Sequence, residues 1–375
     1  LIALLVLLLI GSNFATFYIT SLLNTGSTGT VGQANFVSSE PMSLNFNQGI
    51  NDELQVDLHD ISSPAPGNSY YAWLLNDEGL SSIVPVFLGA LTVNNGVVHF
   101  LYPGDTTNLI NNNSRFVITE GRTNSVPDQS SVSDHSTWRY YAALPTSSAN
   151  KLYTVTPLQA LRNLLYLSTD LSSMGVPGSL DMGFYQNTQQ VAQLARSALD
   201  GYNSKAPNSI HTQVIDILNY LVGASNVQVE VGSSPLPLTD PTLNPIRVKV
   251  PLLNPELGQT IESYSDLIVK QMNYIGAASG ITTDSSTLVD QIGQVLNNID
   301  TNWLKEVRQD ADMLARMDTA QLLSSPTQSI LERMEMEASN AFYGFLDTLS
   351  GNVQEGTIWV HENIQRLAVF NISKV

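Results

Sequence analysis

The chain has 375 residues, enough for two folded units plus a short anchor. Its apolar fraction of 43% can fill a core in each unit, but charged residues make up only 13%, about half the usual quarter. Ser, Thr, Asn and Gln must therefore supply the polar surface, as in many secreted and cell-surface proteins. The balance of 16 Lys+Arg against 33 Asp+Glu leaves a net charge of −17 with no basic run, which argues against nucleic acid as a partner. The absence of cysteine excludes disulfides, thiolate metal sites and clusters held by Cys.

Residues 1–23 open with the apolar side chains Leu1, Ile2, Leu4, Leu5, Val6, Leu8, Leu9 and Ile10. After Gly11-Ser12-Asn13 the pattern resumes with Phe14, Phe17, Tyr18 and Ile19. The length is near the ~20 residues a helix needs to cross a bilayer, and Tyr18 falls where an interfacial aromatic is expected. The first basic residue is Arg115, so the basic flank of an intact anchor is missing; processing or a cut just before Leu1 is expected. Three readings stay open: a membrane anchor, a pilin-like packing helix whose usual acidic residue is replaced by Ala3, and an uncleaved secretory signal. All three put the rest of the chain outside the cytoplasm.

Residues 24–35, rich in Gly, Ser and Thr, read as a flexible linker. Beyond them the period becomes two. Leu54, Val56 and Leu58 alternate with Gln55, Asp57 and His59, the pattern of a half-buried strand. Further strands are expected at 43–47, 70–75, 84–93, 97–101, 116–120 and 138–144. Asn95-Gly96 between two apolar runs is a hairpin signal. Short strands at this spacing predict a two-sheet antiparallel β-sandwich over 36–150. Trp73, Tyr71 and Trp138 read first as core and sheet-surface packing, with a sugar-binding platform as the sharper alternative. Asn112 and Asn371 each begin an Asn-x-Ser glycosylation pattern.

Within this region, Tyr70-Tyr71-Ala72-Trp73-Leu74-Leu75-Asn76-Asp77-Glu78-Gly79 resembles the Trp-Leu strand and Gly turn of the anti-sigma-K-type extracytoplasmic domain. Leu88-Gly89-Ala90-Leu91-Thr92-Val93, Asn95-Gly96 and Arg115-Phe116-Val117-Ile118-Thr119-Glu120 follow in that family's order. The resemblance spans residues 40–145. It implies a small antiparallel sandwich outside the membrane with no enzyme activity. The family's cytoplasmic sigma-binding domain has no counterpart before Leu1, so its regulatory function is not carried over.

From Pro157, set after Thr156 as a first-turn proline, the period is helical. Helices are expected at 181–203, 209–223, 261–278, 285–316, 326–349 and 356–370. Residues 227–255, with Pro235, Pro237, Pro241, Pro245, Pro251 and Pro255, read as an extended crossover. Residues 151–375 thus predict an elaborated four-helix bundle or two helical hairpins packed together. The segment His211-Thr212-Gln213-Val214-Ile215-Asp216-Ile217-Leu218-Asn219-Tyr220-Leu221-Val222-Gly223 resembles helices of surface proteins from filamentous green bacteria that carry the sandwich upstream.

No Glu-x-x-His pair exists for a metal or haem in the bundle. His59, His99, His135, His211 and His361 all read as surface or capping residues. No nucleophile elbow, phosphate loop or His-Glu-x-x-His is present. The expected fold class is therefore multidomain α+β: an N-terminal apolar helix, an antiparallel β-sandwich, then an all-α bundle. The expected function is non-catalytic and extracytoplasmic, a structural or interaction protein at the cell surface without a cofactor. Its partners would be the membrane, other proteins or copies of itself. The alternatives are a self-assembling filament or sheath subunit, and the sensing half of an anti-sigma-like regulator or an accessory subunit of a membrane complex.

Overall fold

The computed structural model describes residues 29–39, 50–79, 84–125, 127–166, 171–172, 175–176, 178–258, 261–346 and 351–375. Eight strands form one antiparallel sheet: β1 (Thr30–Val37), β2 (Glu53–Leu58), β3 (Asn68–Asn76), β4 (Val86–Leu91), β5 (Val98–Tyr102), β6 (Asn113–Arg122), β7 (Trp138–Ala143) and, from the far end of the chain, β10 (Val369–Lys374). The spatial order is β4-β3-β6-β7-β10-β1-β2-β5. The two edges, β4 and β5, are consecutive in sequence. They meet at a tight turn where Asn94 and Val97 exchange backbone hydrogen bonds of 2.9 and 3.0 Å, with Asn95 and Gly96 both at positive φ. The sheet is therefore rolled almost into a barrel.

This overturns the two-sheet sandwich. A sandwich needs two separate sheets face to face, whereas here one continuous ladder curls round its own core. Ala34 and Phe36, Leu54, Val56 and Leu58, Ala72 and Leu74, Phe116 and Ile118, Tyr140 and Ala142, and Phe370 and Ile372 all point inward and are buried. Phe370 joins Phe36 and Phe116 at ring distances of 5.5 and 6.0 Å.

Two expected boundaries also shift. Residues read as the end of the linker form β1, which pairs Ala34 with Phe370 on one side and with Val56 on the other. Residues 369–370, expected to end the last helix, instead begin β10, which crosses back into the barrel over residues 369–374. The expected helical domain 151–375 thus shares a sheet and a continuous apolar core with the β region. The expected strand at 43–47 and the apolar helix of residues 1–23 lie outside the described residues. Among the described residues, no helix is long and apolar enough to cross a membrane.

Ahead of β7 stands the short helix α1 (Gln129–Ser133). The helical layer then contains α2 (Pro157–Leu165), α3 (Leu180–Asn203), α4 (Pro207–Val222), α5 (Val227–Val231), α6 (Tyr264–Gly276) and α7 (Thr283–Asn298). A π-helical turn, Ile299–Leu304, joins α7 to α8 (Lys305–Ala315); α9 (Thr319–Leu322), α10 (Ser325–Tyr343) and α11 (Thr357–Gln365) follow. Caps explain several starts. Thr156 Oγ1 accepts from Gln159 N at 3.2 Å with Pro157 in the first turn, and Ser263 and Thr282 do the same job for α6 and α7. Helices α3, α4, α8 and α10 contact one another in a closed ring, a four-helix bundle. The Pro-rich crossover, expected to be extended, instead begins with helix α5 and continues through a series of turns, burying Leu238, Val248, Val250, Leu252 and Leu253.

One rim of the barrel meets the helices through buried polar contacts. Asn51 and Asn108 both donate from Nδ2 to Leu165 O, at 3.1 and 3.0 Å, closing the end of α2. Arg162 grips both oxygens of Asp77 at 2.7 and 2.8 Å and donates to Ile110 O at 2.9 Å. Burial works to raise the Asp77 carboxyl, but the Arg162 hydrogen bonds and charge outweigh it and hold it below its ordinary value. The opposite rim carries Thr30 beside Ser373, and Val375 N donates to Arg139 O at 2.9 Å.

Candidate functional site

Strand β3 is buried on both faces. Its inward residues fill the barrel, while Tyr71, Trp73 and Leu75 point outward and join Val117 and Val132 in a second apolar cluster, with Trp138 and Tyr141 packed on it. The polar ends of these rings are satisfied locally. Trp73 Nε1 donates to Thr119 Oγ1 at 3.1 Å, Trp138 Nε1 to Val132 O at 2.9 Å, and Tyr71 OH to Arg122 O at 2.8 Å. Trp138 stacks on Tyr141 with centroids 5.4 Å apart, and His135 lies 4.2 Å from Trp138. The packing role expected for Trp73, Tyr71 and Trp138 agrees with this cluster.

Beside it runs a shallow groove of about 550 Å³, lined by Trp73, Val84, Pro85, Phe87, Pro127, Asp128, Gln129 and Ser130. Phe87 packs 4.8 Å from Trp73 yet stays 38% exposed, and Val84 is 59% exposed. The far wall is the start of α1, fixed by Asp128, whose Oδ1 accepts from Ser130 N at 2.9 Å. Hydrogen bonds from the Ser130 hydroxyl and backbone hold the Asp128 carboxyl below its ordinary value. The groove suits an apolar side chain or an extended backbone. Among the described residues its polar lining is Asp128, Gln129 and Ser130.

A second apolar feature projects between α10 and α11. The hairpin β8 (Phe345–Leu346) and β9 (Val353–Gln354) exposes Phe345, Leu346 and Val353, with Tyr343 at its base.

Two histidines contradict the surface reading. His361 on α11 is buried. Its Nδ1 lies 2.6 Å from Asp181 Oδ2 on α3, and its Nε2 is 2.8 Å from Gln365 Nε2. Ser38 Oγ donates to Gln365 Oε1 at 3.3 Å, so the Gln amide hydrogens face the ring and the ring proton faces Asp181. The chain Ser38–Gln365–His361–Asp181 ties the end of β1 to two helices. An amide, rather than a hydroxyl, is the described contact at Nε2, unlike the arrangement that activates a serine. His211 is buried against α8. Burial pushes its pKa down, only partly offset by the hydrogen bond to Ala315 O.

Burial also raises several carboxyls, two of them to about 7. Asp216 on α4 is pushed to about 7 by burial, then by the charge and hydrogen bond of Asp240 on the crossover. Asp300, in the π-helical turn, is raised to about 7 by burial against the opposing hydrogen bond from Ser265. Among the described residues, no group of three His, Asp or Glu is arranged to hold a metal.

The expected assembly residues Leu1, Ile2, Leu4, Leu5, Val6, Leu8, Leu9, Ile10, Phe14, Phe17, Tyr18 and Ile19 lie outside the described residues. Asn112 is half-buried where β6 begins, and its carbonyl accepts from Asp77 N. Asn371 sits on β10 inside the sheet, where its Oδ1 accepts from Gln33 Nε2 at 3.0 Å. The methionines divide: Met334 is buried, whereas Met313 and Met336 are about half exposed. Comparison with known proteins returns no matching family model, no matching curated protein and no matching solved structure.

Proposed function

We propose that this chain is a non-catalytic structural or interaction protein displayed outside the cytoplasm and held there by the apolar residues 1–19. The observation that carries the reading is that residues 1–19 hold no charged side chain and are apolar except at Gly11-Ser12-Asn13 and Thr16, in a chain otherwise acidic. The route of the chain supports it. β1 enters the barrel at the rim beside Ser373 and runs toward the rim that meets the helices. A tether arriving at the free rim would leave the helical bundle projecting outward. The groove is shallow, with an apolar floor and a polar wall at Asp128–Ser130, which suits contact with a partner better than a reaction.

The test compares the full chain with a Leu4→Asp, Leu5→Asp, Leu8→Asp variant in a membrane sedimentation assay. The native chain is expected to pellet with membranes and to need detergent for release. The variant is expected in the supernatant, still folded by near-ultraviolet circular dichroism. Native chain in the supernatant without detergent would refute the tether.

A further inference from the structure

Asn51 locks the barrel rim to the helices. Its backbone is left-handed, φ +50°, a conformation Asn tolerates better than most residues. Three hydrogen bonds hold it there: its N–H donates to Ser38 Oγ at 3.0 Å, its Nδ2 donates to Leu165 O at 3.1 Å, and its carbonyl accepts from Leu109 N at 2.8 Å. Its Oδ1 is buried and has no partner among the described residues. Buried acceptors are rarely left empty.

Ser38 also ends the buried chain that runs through Gln365 and His361 to Asp181. With the ring neutral, Nδ1–H donates to Asp181, the Gln365 amide donates to Nε2, and Gln365 Oε1 accepts the Ser38 hydrogen. Ser38 thus gives its only hydrogen to Gln365 and takes the Asn51 N–H. A proton on Nε2 would make that nitrogen a donor facing the donor end of the Gln365 amide. The contact is restored when the amide turns over, Oε1 to the ring and Nε2 to Ser38 Oγ. Ser38 Oγ then accepts from both Gln365 and Asn51, and its own hydrogen is free for another acceptor. Asn51 Oδ1 is a vacant one, on the residue Ser38 already touches.

We propose that Asp181, His361, Gln365 and Ser38 form a proton-operated relay, in which one proton taken from solvent at His361 Nε2 reverses the Gln365 amide and is read at Asn51. Around the ring, α3 contributes Asp181 and the Tyr185 ring, 4.9 Å away. On α11, Glu362 and Arg366 act on each other, and Glu355, just before the helix, acts on Glu362. On α10, Glu335 reaches Arg196, and Glu337 faces Glu306, Asp310 and Arg333. Arg162 of α2 faces Asp77, and Asp284 and Asp290 of α7 are exposed. β1 has no ionisable side chain, and beyond it Asp52 accepts from Ser39 N and Oγ. The relay lets acidification of the medium reach the barrel rim through the helices. It goes beyond the tether and operates in either compartment.

Nuclear magnetic resonance on the full chain in non-ionic detergent tests this. Histidine is isotope-labelled, and the His361 ring is recognised by its contact with Tyr185. Asn51 is picked out by labelling Ile at carbon and Asn at nitrogen together, because Ile-Asn recurs only at Ile110-Asn111. At about pH 8 the neutral ring is expected to carry its hydrogen on Nδ1. On acidification to about pH 4.5, the Asn51 amide signal should shift with the same midpoint as the His361 ring. Ser38→Ala should leave the ring titrating but silence Asn51, and Ser38→Thr, which keeps the hydroxyl, should restore the response. Gln365→Glu offers Nε2–H a charged acceptor and should raise the ring midpoint by about 1–3 pH units. The relay is overturned by a neutral ring with its hydrogen on Nε2, or by a ring that does not titrate in this range. It is equally overturned by an Asn51 signal that ignores the ring, or that still follows it in Ser38→Ala, or by an unmoved midpoint in Gln365→Glu. These readings leave the membrane-sedimentation result untouched.

Discussion

Replacing Asp216 with Asn should flatten much of the protein's loss of stability between pH 4 and pH 7. The Asp216 carboxyl is buried on α4, its Oδ1 has no hydrogen-bond partner among the described residues, and Asp240 and Tyr220 stand beside it. Its value rises from 3.8 to about 7 on folding, so the folded protein holds a proton that the unfolded chain releases in that range. The stabilisation is fully present below pH 4, falls as pH climbs, and is gone above about pH 7. At ~1.4 kcal/mol per pH unit the full effect is about 4 kcal/mol, an upper value because relaxation and water entry reduce it. Asn keeps the shape, and its amide can donate to Asp240 at every pH. Urea denaturation in non-ionic detergent at pH 4.5, 6 and 8 would follow the native chain and the variant together. The two should differ little at pH 4.5, with the variant ahead by about 2–4 kcal/mol at pH 8. Asp300 titrates over the same range in both proteins, so the difference isolates Asp216. Parallel curves across the whole range would refute the reasoning.

Two further substitutions test how the barrel and helices are joined. Arg162→Ala strands the Asp77 carboxylate at the junction and removes the bond to Ile110 O; a loss of about 2–3 kcal/mol is expected in urea midpoints at pH 7. The native protein should lose this part of its stability as pH falls through the lowered Asp77 value, so the two proteins should converge in acid. Phe370→Ala opens the barrel core between Phe36 and Phe116 and should cost about 3–5 kcal/mol. Because β10 belongs to both regions, the helical far-ultraviolet signal and the barrel's near-ultraviolet signal should shift to the same lower urea midpoint. Separate midpoints would mean that the two regions fold independently.

Much of the helical layer was legible because its signals are local. Thr156-Pro157, Ser263 and Thr282 mark helix starts within a few residues, and the Leu stripe after Pro157 marks the buried face. The barrel was not legible in the same way. β1 reads Thr-Val-Gly-Gln-Ala-Asn-Phe-Val, whose composition signals a linker, although Ala34 and Phe36 alternate correctly with Gln33 and Asn35. β10 follows α11 after three residues, and Leu367-Ala368-Val369-Phe370 continues a helical apolar run as plausibly as it begins a strand. What decides both is their mutual pairing, Gln33 against Asn371, across almost the whole chain. The Asn95-Gly96 turn was legible as a hairpin. Its flanking strands nonetheless take their ladders elsewhere, β4 with β3 and β5 with β2, and that choice turns an expected sandwich into a nearly closed barrel. His361 looked solitary because Asp181, its acidic partner, lies on a distant helix. The groove beside Trp73 had only a weak sign, the outward alternation of Tyr71, Trp73 and Leu75.

The proposed role requires the folded part of the chain to lie outside the cytoplasm. Lys151 and Lys205 are exposed and can report the compartment. Intact cells of the native source would be treated with an amine-reactive biotin reagent that does not cross membranes, and the chain then recovered and its modified lysines mapped. Labelling at Lys151 and Lys205 without lysis is the expected result. Labelling that appears only after the cells are broken would contradict the compartment and, with it, the proposed role.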